Sequence, residues 1–244
     1  MYGYRARIGL IVPASNTTCE PEIAALCPEG VTSYATRIFF DPSSVDGLLA
    51  LKKEADRAAR ELSCESICQI IAFCCTRGSM IGGLNCDKSI IEIIEKECNT
   101  PAIATATAVF AAFTALQVKR IAIATPYPGE VNRLIKEIIE LNGYKVTRLG
   151  GVYDHLSPKE LTVKMIGSLQ PENAYELGLK VNSKENDAIF ISCTNFRSIE
   201  IIQKLEMETS KPVITSNQAT LWHALRRLGL KDSIKGYGRL VEYY

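Results

Sequence analysis

Two cysteines in this sequence occupy positions typical of reactive side chains in α/β proteins. Cys75 ends the apolar run IIAFCC and Cys193 ends the run AIFISC, and each is followed by a threonine, Thr76 and Thr194. A thiolate is a strong nucleophile, and a thiol can also give or take a proton, so two thiols together suit covalent or acid/base chemistry at one carbon. The alternative is that both are ordinary buried cysteines, which protein cores often contain.

Strand and helix patterns alternate along the whole chain. Apolar residues recur at helical spacing between residues 131 and 141. Residues 157–160 (SPKE) have the composition of a helix start with a capping box. Short apolar runs rich in β-branched residues predict strands at 8–12, 32–39, 67–73, 102–104, 121–124, 144–149, 188–192 and 213–215.

The order of these elements repeats once. The strand that begins at Ile8 has a counterpart at Ile121, and Cys75 has one in Cys193, at separations of 113 and 118 residues. We therefore predict an α/β fold of two pseudo-symmetric lobes, each a four-stranded parallel sheet flanked by helices, with the active site in the cleft between them. The predicted N-terminal lobe comprises residues 1–104 plus 218–244, and the C-terminal lobe comprises residues 105–217.

The two thiols should meet across this cleft. Open parallel sheets bind ligands at the carboxyl ends of their strands, and the repeat places Cys75 and Cys193 at equivalent strand ends. Each thiol should lie where a strand turns into a helix, so that backbone amides favour its thiolate and also hold a substrate carboxylate. The hydroxyl groups of Thr76 and Thr194 would add two further donors.

Composition limits the other possibilities. The chain has 244 residues, a net charge of +1 and no basic run, so neither a nucleic acid nor a membrane is a predicted partner. The N-terminus lacks the features of a signal peptide, which predicts a cytoplasmic protein whose nine cysteines stay reduced. The sequence contains neither GxGxxG nor GxxxxGKS/T and no cluster typical of metal ligands, so no cofactor and no metal is predicted.

Five segments resemble those of a known group of enzymes. PASNTTCE, CTRGS, TPYPGEVN, SCTNFR and SNQATLW are similar to segments of maleate cis-trans isomerases. That branch belongs, with arylmalonate decarboxylases and with aspartate, glutamate and hydantoin racemases, to one superfamily. The resemblance extends from about residue 7 to about residue 228, and the patterns PxSNTT and TPYxxxVN are particular to the isomerase branch.

The resemblance implies a role for several residues. Cys75 matches the nucleophile of the isomerases and Cys193 matches its acid/base partner. Asn16 and Tyr127 match side chains that hold substrate carboxylates. The implied reaction needs no cofactor: Cys75 adds to an alkene carbon of maleate, the adduct rotates about the former double bond, and fumarate leaves.

Two positions depart from the isomerase pattern. The isomerases commonly have a serine between Thr76 and Gly78, where this chain has Arg77. An asparagine of the isomerases that helps to bind the distal carboxylate aligns with His155 or, alternatively, with Asp154. His155 is therefore a further predicted substrate-binding residue.

Three functions stay open at this point. The first is isomerisation of maleate or a similar small unsaturated dicarboxylate to fumarate. The second is a two-thiol racemase of amino acids or hydantoins, or a related decarboxylase. The third is a protein that binds small carboxylates without catalysis, and such a protein needs neither thiol. The predicted partner is in each case a small mono- or dicarboxylate, and a homo-oligomer, a dimer or larger, is left open.

Overall fold

The strands lie where the sequence predicts them. The computed structural model describes residues 2–39, 45–80, 83 and 85–244. Eight strands form in this part of the chain: β1 (Ala6–Pro13), β2 (Val31–Ile38), β3 (Ile70–Phe73), β4 (Ala102–Ala104), β5 (Arg120–Thr125), β6 (Lys145–Gly151), β7 (Ala188–Ile191) and β8 (Val213–Thr215). Each predicted strand is present, with ends that differ from the prediction by three residues or fewer.

Both sheets have the same topology. Their strand orders are β2-β1-β3-β4 and β6-β5-β7-β8, and all neighbouring strands are parallel. The registers are equivalent, since Ile8 lies beside Ile70 in the first sheet and Ile121 lies beside Ala188 in the second. Strands β3 and β7 are fully buried, which accounts for the continuous apolar runs before the two cysteines. The predicted fold class, two α/β lobes with four-stranded parallel sheets, is confirmed.

Helices connect the strands and cover the sheets. They are α1 (Cys19–Leu26), α2 (Val45–Ser63), α3 (Thr76–Met80), α4 (Cys86–Cys98), α5 (Thr105–Ala115), α6 (Gly129–Leu141), α7 (Val163–Gly167), α8 (Pro171–Val181), α9 (Ile202–Thr209), α10 (Ser216–Arg227) and α11 (Arg239–Tyr243). In α6, Val131, Ile135 and Ile139 are buried while Leu134 and Leu141 are exposed, which is typical of an amphipathic helix on a sheet. Among these described helices, none is long and apolar enough to cross a membrane.

The prediction of a helix start at residues 157–160 is wrong. Ser157 does donate its N–H and its hydroxyl to Glu160 Oε2, at 2.8 and 2.7 Å, so the expected capping interaction forms. The segment is nevertheless a turn, and the next helix, α7, begins at Val163. Thr162 precedes it in an extended conformation (φ −103°, ψ 150°) and caps α7 through its side chain, so the chain cannot continue as one helix from Ser157.

Helices α5 and α10 pack against each other and link the two sheets, since each contacts both β4 and β8. Phe113 of α5 contacts Phe190 of β7 edge to face, with the ring centroids 5.6 Å apart. The Thr220 hydroxyl of α10 donates to the Thr105 hydroxyl of α5 at 3.2 Å. Buried side chains of both sheets belong to one continuous apolar core, so the carboxyl ends of the two sheets are held in a defined relation. The predicted lobe boundaries stay a prediction.

Candidate active site

The two cysteines lie at equivalent strand ends and line one cleft. Cys75 lies two residues after the end of β3, and Cys193 lies two residues after the end of β7. The cleft at these strand ends has a volume of about 80 Å³. Six predicted site residues line it: Asn16, Cys75, Thr76, Tyr127, Cys193 and Thr194. The fold thus brings together side chains that lie up to 178 positions apart in the chain.

Each sulfur accepts a hydrogen bond from a backbone amide of its own loop. Gly78 N–H donates to Cys75 Sγ at 3.2 Å, and Asn195 N–H donates to Cys193 Sγ at 3.3 Å. The Tyr127 hydroxyl donates to the same Cys193 sulfur. These donors are of the kind that stabilises a thiolate, as the strand-end positions predict.

Burial outweighs these donors. It raises the pKa of Cys75 to about 12, and it raises the pKa of Cys193 although the hydrogen bond from Tyr127 opposes the change. Burial also raises the pKa of Tyr127 well above its ordinary value. The strand-end amides do favour each thiolate, as predicted, but the net pKa of each thiol is raised because desolvation of a buried charge costs more than the amides return. Arg77 is a positive charge that acts against this effect and lowers the pKa of each thiol.

Asn16 connects the start of α1 to the loop of the second thiol. Its Oδ1 accepts the amide hydrogens of Thr18 and Cys19, each at 2.9 Å. Its Nδ2 donates to Thr194 Oγ1 at 3.0 Å, and the Thr194 hydroxyl in turn donates to the Cys74 carbonyl at 3.2 Å. Asn16 therefore holds the two lobes in register, and one of its amide hydrogens remains for a ligand.

Ser216, at the start of α10, connects the two thiol loops and is missing from the predicted site. Its Oγ accepts the Cys193 amide hydrogen at 3.0 Å and the Thr76 hydroxyl hydrogen at 2.9 Å. The repeat carries a signal for this position, because Ser216 directly follows β8 as Thr105 directly follows β4. Thr76 and Thr194 thus both donate their hydroxyl hydrogens to protein acceptors, which leaves neither hydrogen for a substrate.

Cys193 has a strained backbone. Its φ is 126°, a conformation that favours glycine. In this conformation its amide points to Ser216 Oγ while its sulfur lines the cleft. Strain of this kind costs about 1–3 kcal/mol and is concentrated at functional sites.

We expect Cys193→Gly to be more stable than Cys193→Ala by about 1 kcal/mol, because glycine adopts this φ without strain. Both variants lack the sulfur, so urea unfolding of the pair isolates the backbone contribution. Cys98, which lies in α4, provides the matched pair, and there the glycine variant should be the less stable one. The same order of stability at both positions would contradict the assignment of strain.

The structure places His155 outside the cleft. Its side chain is exposed, and its ring lies 6.4 Å from the ring of Tyr153. Asp154, the alternative at this position, accepts hydrogen bonds from Gly151 N–H and Asn132 Nδ2, at 2.8 and 2.7 Å, and does not line the cleft either. Within the described residues, no group of three His, Cys, Asp or Glu side chains is arranged to hold a metal ion.

Arg77 lines the cleft, although the sequence marks it only as a departure from the isomerase pattern. Its Nε is buried and has no hydrogen-bond partner in the described part of the chain. A positive charge that lines the same cleft as the two thiols is suited to an anionic ligand. The cleft therefore combines two thiols, one phenol, one amide and one guanidinium.

Comparison with known proteins identifies the family. The family model of arylmalonate decarboxylases matches residues 8–241. The chain belongs to the arylmalonate decarboxylase family. It is similar to maleate isomerase of Pseudomonas putida, with 28% identity over 250 residues that cover 96% of each chain.

Solved structures similar to this member of the arylmalonate decarboxylase family include maleate isomerases and arylmalonate decarboxylases. Maleate isomerase Iso from Pseudomonas putida S16 has a TM-score of 0.86 at 27% identity, with 98% of each chain covered. A cysteine-to-serine variant of the Nocardia farcinica maleate cis-trans isomerase, with a covalently bound succinylcysteine intermediate, has a TM-score of 0.88 at 23% identity. That match covers 98% of this chain and 99% of the other. The predicted resemblance to the maleate isomerase branch is confirmed.

Proposed function

We propose that the protein is a cofactor-independent isomerase that converts maleate, or a similar small unsaturated dicarboxylate, to fumarate. The observation that carries this proposal is the placement of two thiols, Cys75 and Cys193, on one small cleft. The similarity to maleate isomerases supports it. The succinylcysteine of the Nocardia farcinica enzyme is the kind of adduct that Cys75 would form.

The reaction uses one thiolate and one thiol. Cys75 first gives up its proton to water, a step that the positive charge of Arg77 favours. The resulting thiolate forms a C–S bond to one alkene carbon while Cys193 gives its proton to the other alkene carbon. The adduct has a single C–C bond, about which the two halves rotate. Cys193 then takes a proton back from the same carbon, the C–S bond breaks, and the double bond forms again with trans geometry. Covalent addition is needed because an intact double bond does not rotate thermally at a useful rate.

Tyr127 and Asn16 support these steps. Since Tyr127 donates to the Cys193 sulfur, it stabilises the thiolate that remains when Cys193 has given up its proton. The amide hydrogen of Asn16 that Thr194 does not use is available to a substrate carboxylate. His155 has no part in this scheme, since its side chain is exposed and does not line the cleft.

The alternatives have less support. A decarboxylase needs one proton donor, so the second thiol in the cleft would have no role in its reaction. The cleft volume of about 80 Å³ also favours a small acid over an aryl-substituted one, since pockets for drug-sized ligands measure roughly 300–1,000 Å³. A racemase would use both thiols and is the alternative that an experiment must exclude.

Proton NMR in D₂O separates these functions. The protein is incubated with maleate and, separately, with aspartate, glutamate, a hydantoin and phenylmalonate. We expect fumarate to form from maleate without added metal or cofactor, and the α protons of the amino acids to stay unexchanged, because only racemisation requires their removal. Rapid α-deuteration of an amino acid, with maleate unchanged, would overturn the isomerase and leave the paired-thiol site in place.

The proposal extends to the location and partners of the protein. We place the enzyme in the cytoplasm, because the reduced thiols that the reaction needs persist there. Its partner is a small dicarboxylate, and a net charge of +1 provides no general attraction to nucleic acid. Assembly into a dimer or larger oligomer stays a prediction.

A further inference from the structure

Arg77 presents an unpaired positive charge to the cleft. It directly follows Thr76 at the start of α3, and its side chain lines the cleft. The ion pairs formed among the described residues do not include it. Its Nε is buried, and no described group accepts a hydrogen bond from it. A buried donor without an acceptor costs about 1–3 kcal/mol, so this position is suited to an acceptor that a ligand brings.

The other side-chain donors of the cleft are largely in use. Three hydroxyl hydrogens are donated within the protein: Thr76 to Ser216, Thr194 to the Cys74 carbonyl, and Tyr127 to the Cys193 sulfur. Asn16 retains one amide hydrogen. Ser15 and Asn195 also line the cleft, but neutral donors supply no positive charge to a substrate with two carboxylates. A guanidinium does, and it can hold a carboxylate through two parallel N–H bonds.

We propose that Arg77 forms an ion pair with one carboxylate of the substrate and thereby makes the enzyme selective for dicarboxylates over their uncharged diamides. This inference rests on the proposed function and specifies its substrate class. Asn16 is left to bind the other carboxylate. The departure at residue 77 from the isomerase pattern then has a physical meaning, since it introduces a full charge at the place where the isomerases commonly have a serine.

Arg77 has a second effect, on the thiols, that the test must separate from the first. Burial raises the pKa of Cys75 to about 12, and Arg77 acts against this change for both Cys75 and Cys193. Loss of the charge would therefore slow the reaction of every substrate by the same factor. Only the ion pair depends on whether the substrate carries a carboxylate.

The test compares maleate with maleamide, its uncharged diamide, in the wild type and in Arg77→Gln. We expect the preference for maleate, measured as the ratio of the two kcat/KM values, to fall by about 10–100-fold, the range for a hydrogen bond to a charged group. Arg77→Lys keeps the charge and should keep most of the preference. Arg197→Gln is the matched control, because Arg197 is exposed, pairs with Glu200 and does not line the cleft. The Arg197→Gln variant should have the same preference for maleate as the wild type.

Calorimetry on the Cys75→Ala protein tests the ion pair without turnover. Maleate should bind more weakly when Arg77→Gln is added, and maleamide should bind equally with and without it. Equal losses for both ligands, in kinetics or in binding, would overturn the proposal and leave Arg77 a role on the thiols only. If the wild type isomerises no dicarboxylate, the proposed function fails, and the binding difference still decides for or against Arg77. Absence of maleate binding would overturn both.

Discussion

Replacing either Cys75 or Cys193 by alanine will lower kcat for maleate by more than about 10³-fold. Without Cys75 no C–S bond forms. Without Cys193 neither the addition nor the elimination has its proton carrier. Because the two thiols act in one reaction, the double variant should lose little more activity than either single variant. The measurement is the initial rate of fumarate formation.

Two further sets of variants make this result specific. Cys68 and Cys98 do not line the cleft, so Cys68→Ala and Cys98→Ala should retain most of the activity. Cys193→Ser keeps the shape of the side chain and a hydroxyl that can pass on a proton from water, but a neutral hydroxyl is a poor base, so the adduct should form slowly and then accumulate. Intact-protein mass spectrometry should then find the mass of one maleic acid added at Cys75. A Cys193→Ala variant with nearly wild-type turnover would rule out the two-thiol mechanism.

The second large effect concerns Glu22, a buried carboxylate that holds the segment after the second thiol. Its Oε1 accepts the amide hydrogens of Ser198 and Ile199 at 2.6 and 3.1 Å, and its Oε2 accepts from Asn217 Nδ2 at 2.6 Å. Asn217 Nδ2 also donates to the Thr194 carbonyl at 3.0 Å. Burial raises the pKa of Glu22 from 4.5 to about 7, although these hydrogen bonds oppose the change.

We expect this carboxyl to make the protein less stable as the pH rises. The folded protein keeps the proton up to about pH 7, whereas the unfolded chain loses it near 4.5. The contribution of Glu22 to the free energy of unfolding is therefore full below pH 4.5 and is lost as the pH rises through 7. A shift of this size corresponds to about 3 kcal/mol, and Glu22→Gln, which carries no charge at either pH, should remove the dependence.

Urea unfolding at about pH 5 and about pH 8 measures this effect. The difference in unfolding free energy between the wild type and Glu22→Gln should fall by about 2–3 kcal/mol from the lower to the higher pH. The difference is the useful quantity because it cancels the contribution of His223. Burial lowers the pKa of His223 to about 4, so His223 makes both proteins more stable as the pH rises.

Glu20→Gln is the control for this experiment. Glu20 lies on the same helix but at its surface, where it pairs with Arg37 at 2.9 Å. Its difference from the wild type should be the same at both pH values. A pH-independent difference for Glu22→Gln would contradict the burial of an ionisable carboxyl at this place.

Local sequence patterns were sufficient for most elements of the fold but not for all. Strand β3 is buried on both faces, so its residues form an apolar run that is visible without any knowledge of its neighbours. The same holds for α6, whose buried side follows helical spacing. The segment at Ser157 differs, because its capping interaction with Glu160 is local while the extended conformation of Thr162 ends the turn.

The sequence by itself determined the fold class and the meeting of Cys75 with Cys193, because periodicity is local and a repeated topology places equivalent residues at equivalent strand ends. Only the tertiary structure decided how burial raises the pKa of these thiols and that Arg77 lines the same cleft. A pKa depends on burial and on charges that the fold brings from elsewhere in the chain, as the hydroxyl of Tyr127 shows at Cys193. The Nε of Arg77 can likewise be recognised as a donor without an acceptor only when the positions of all the described groups around it are known.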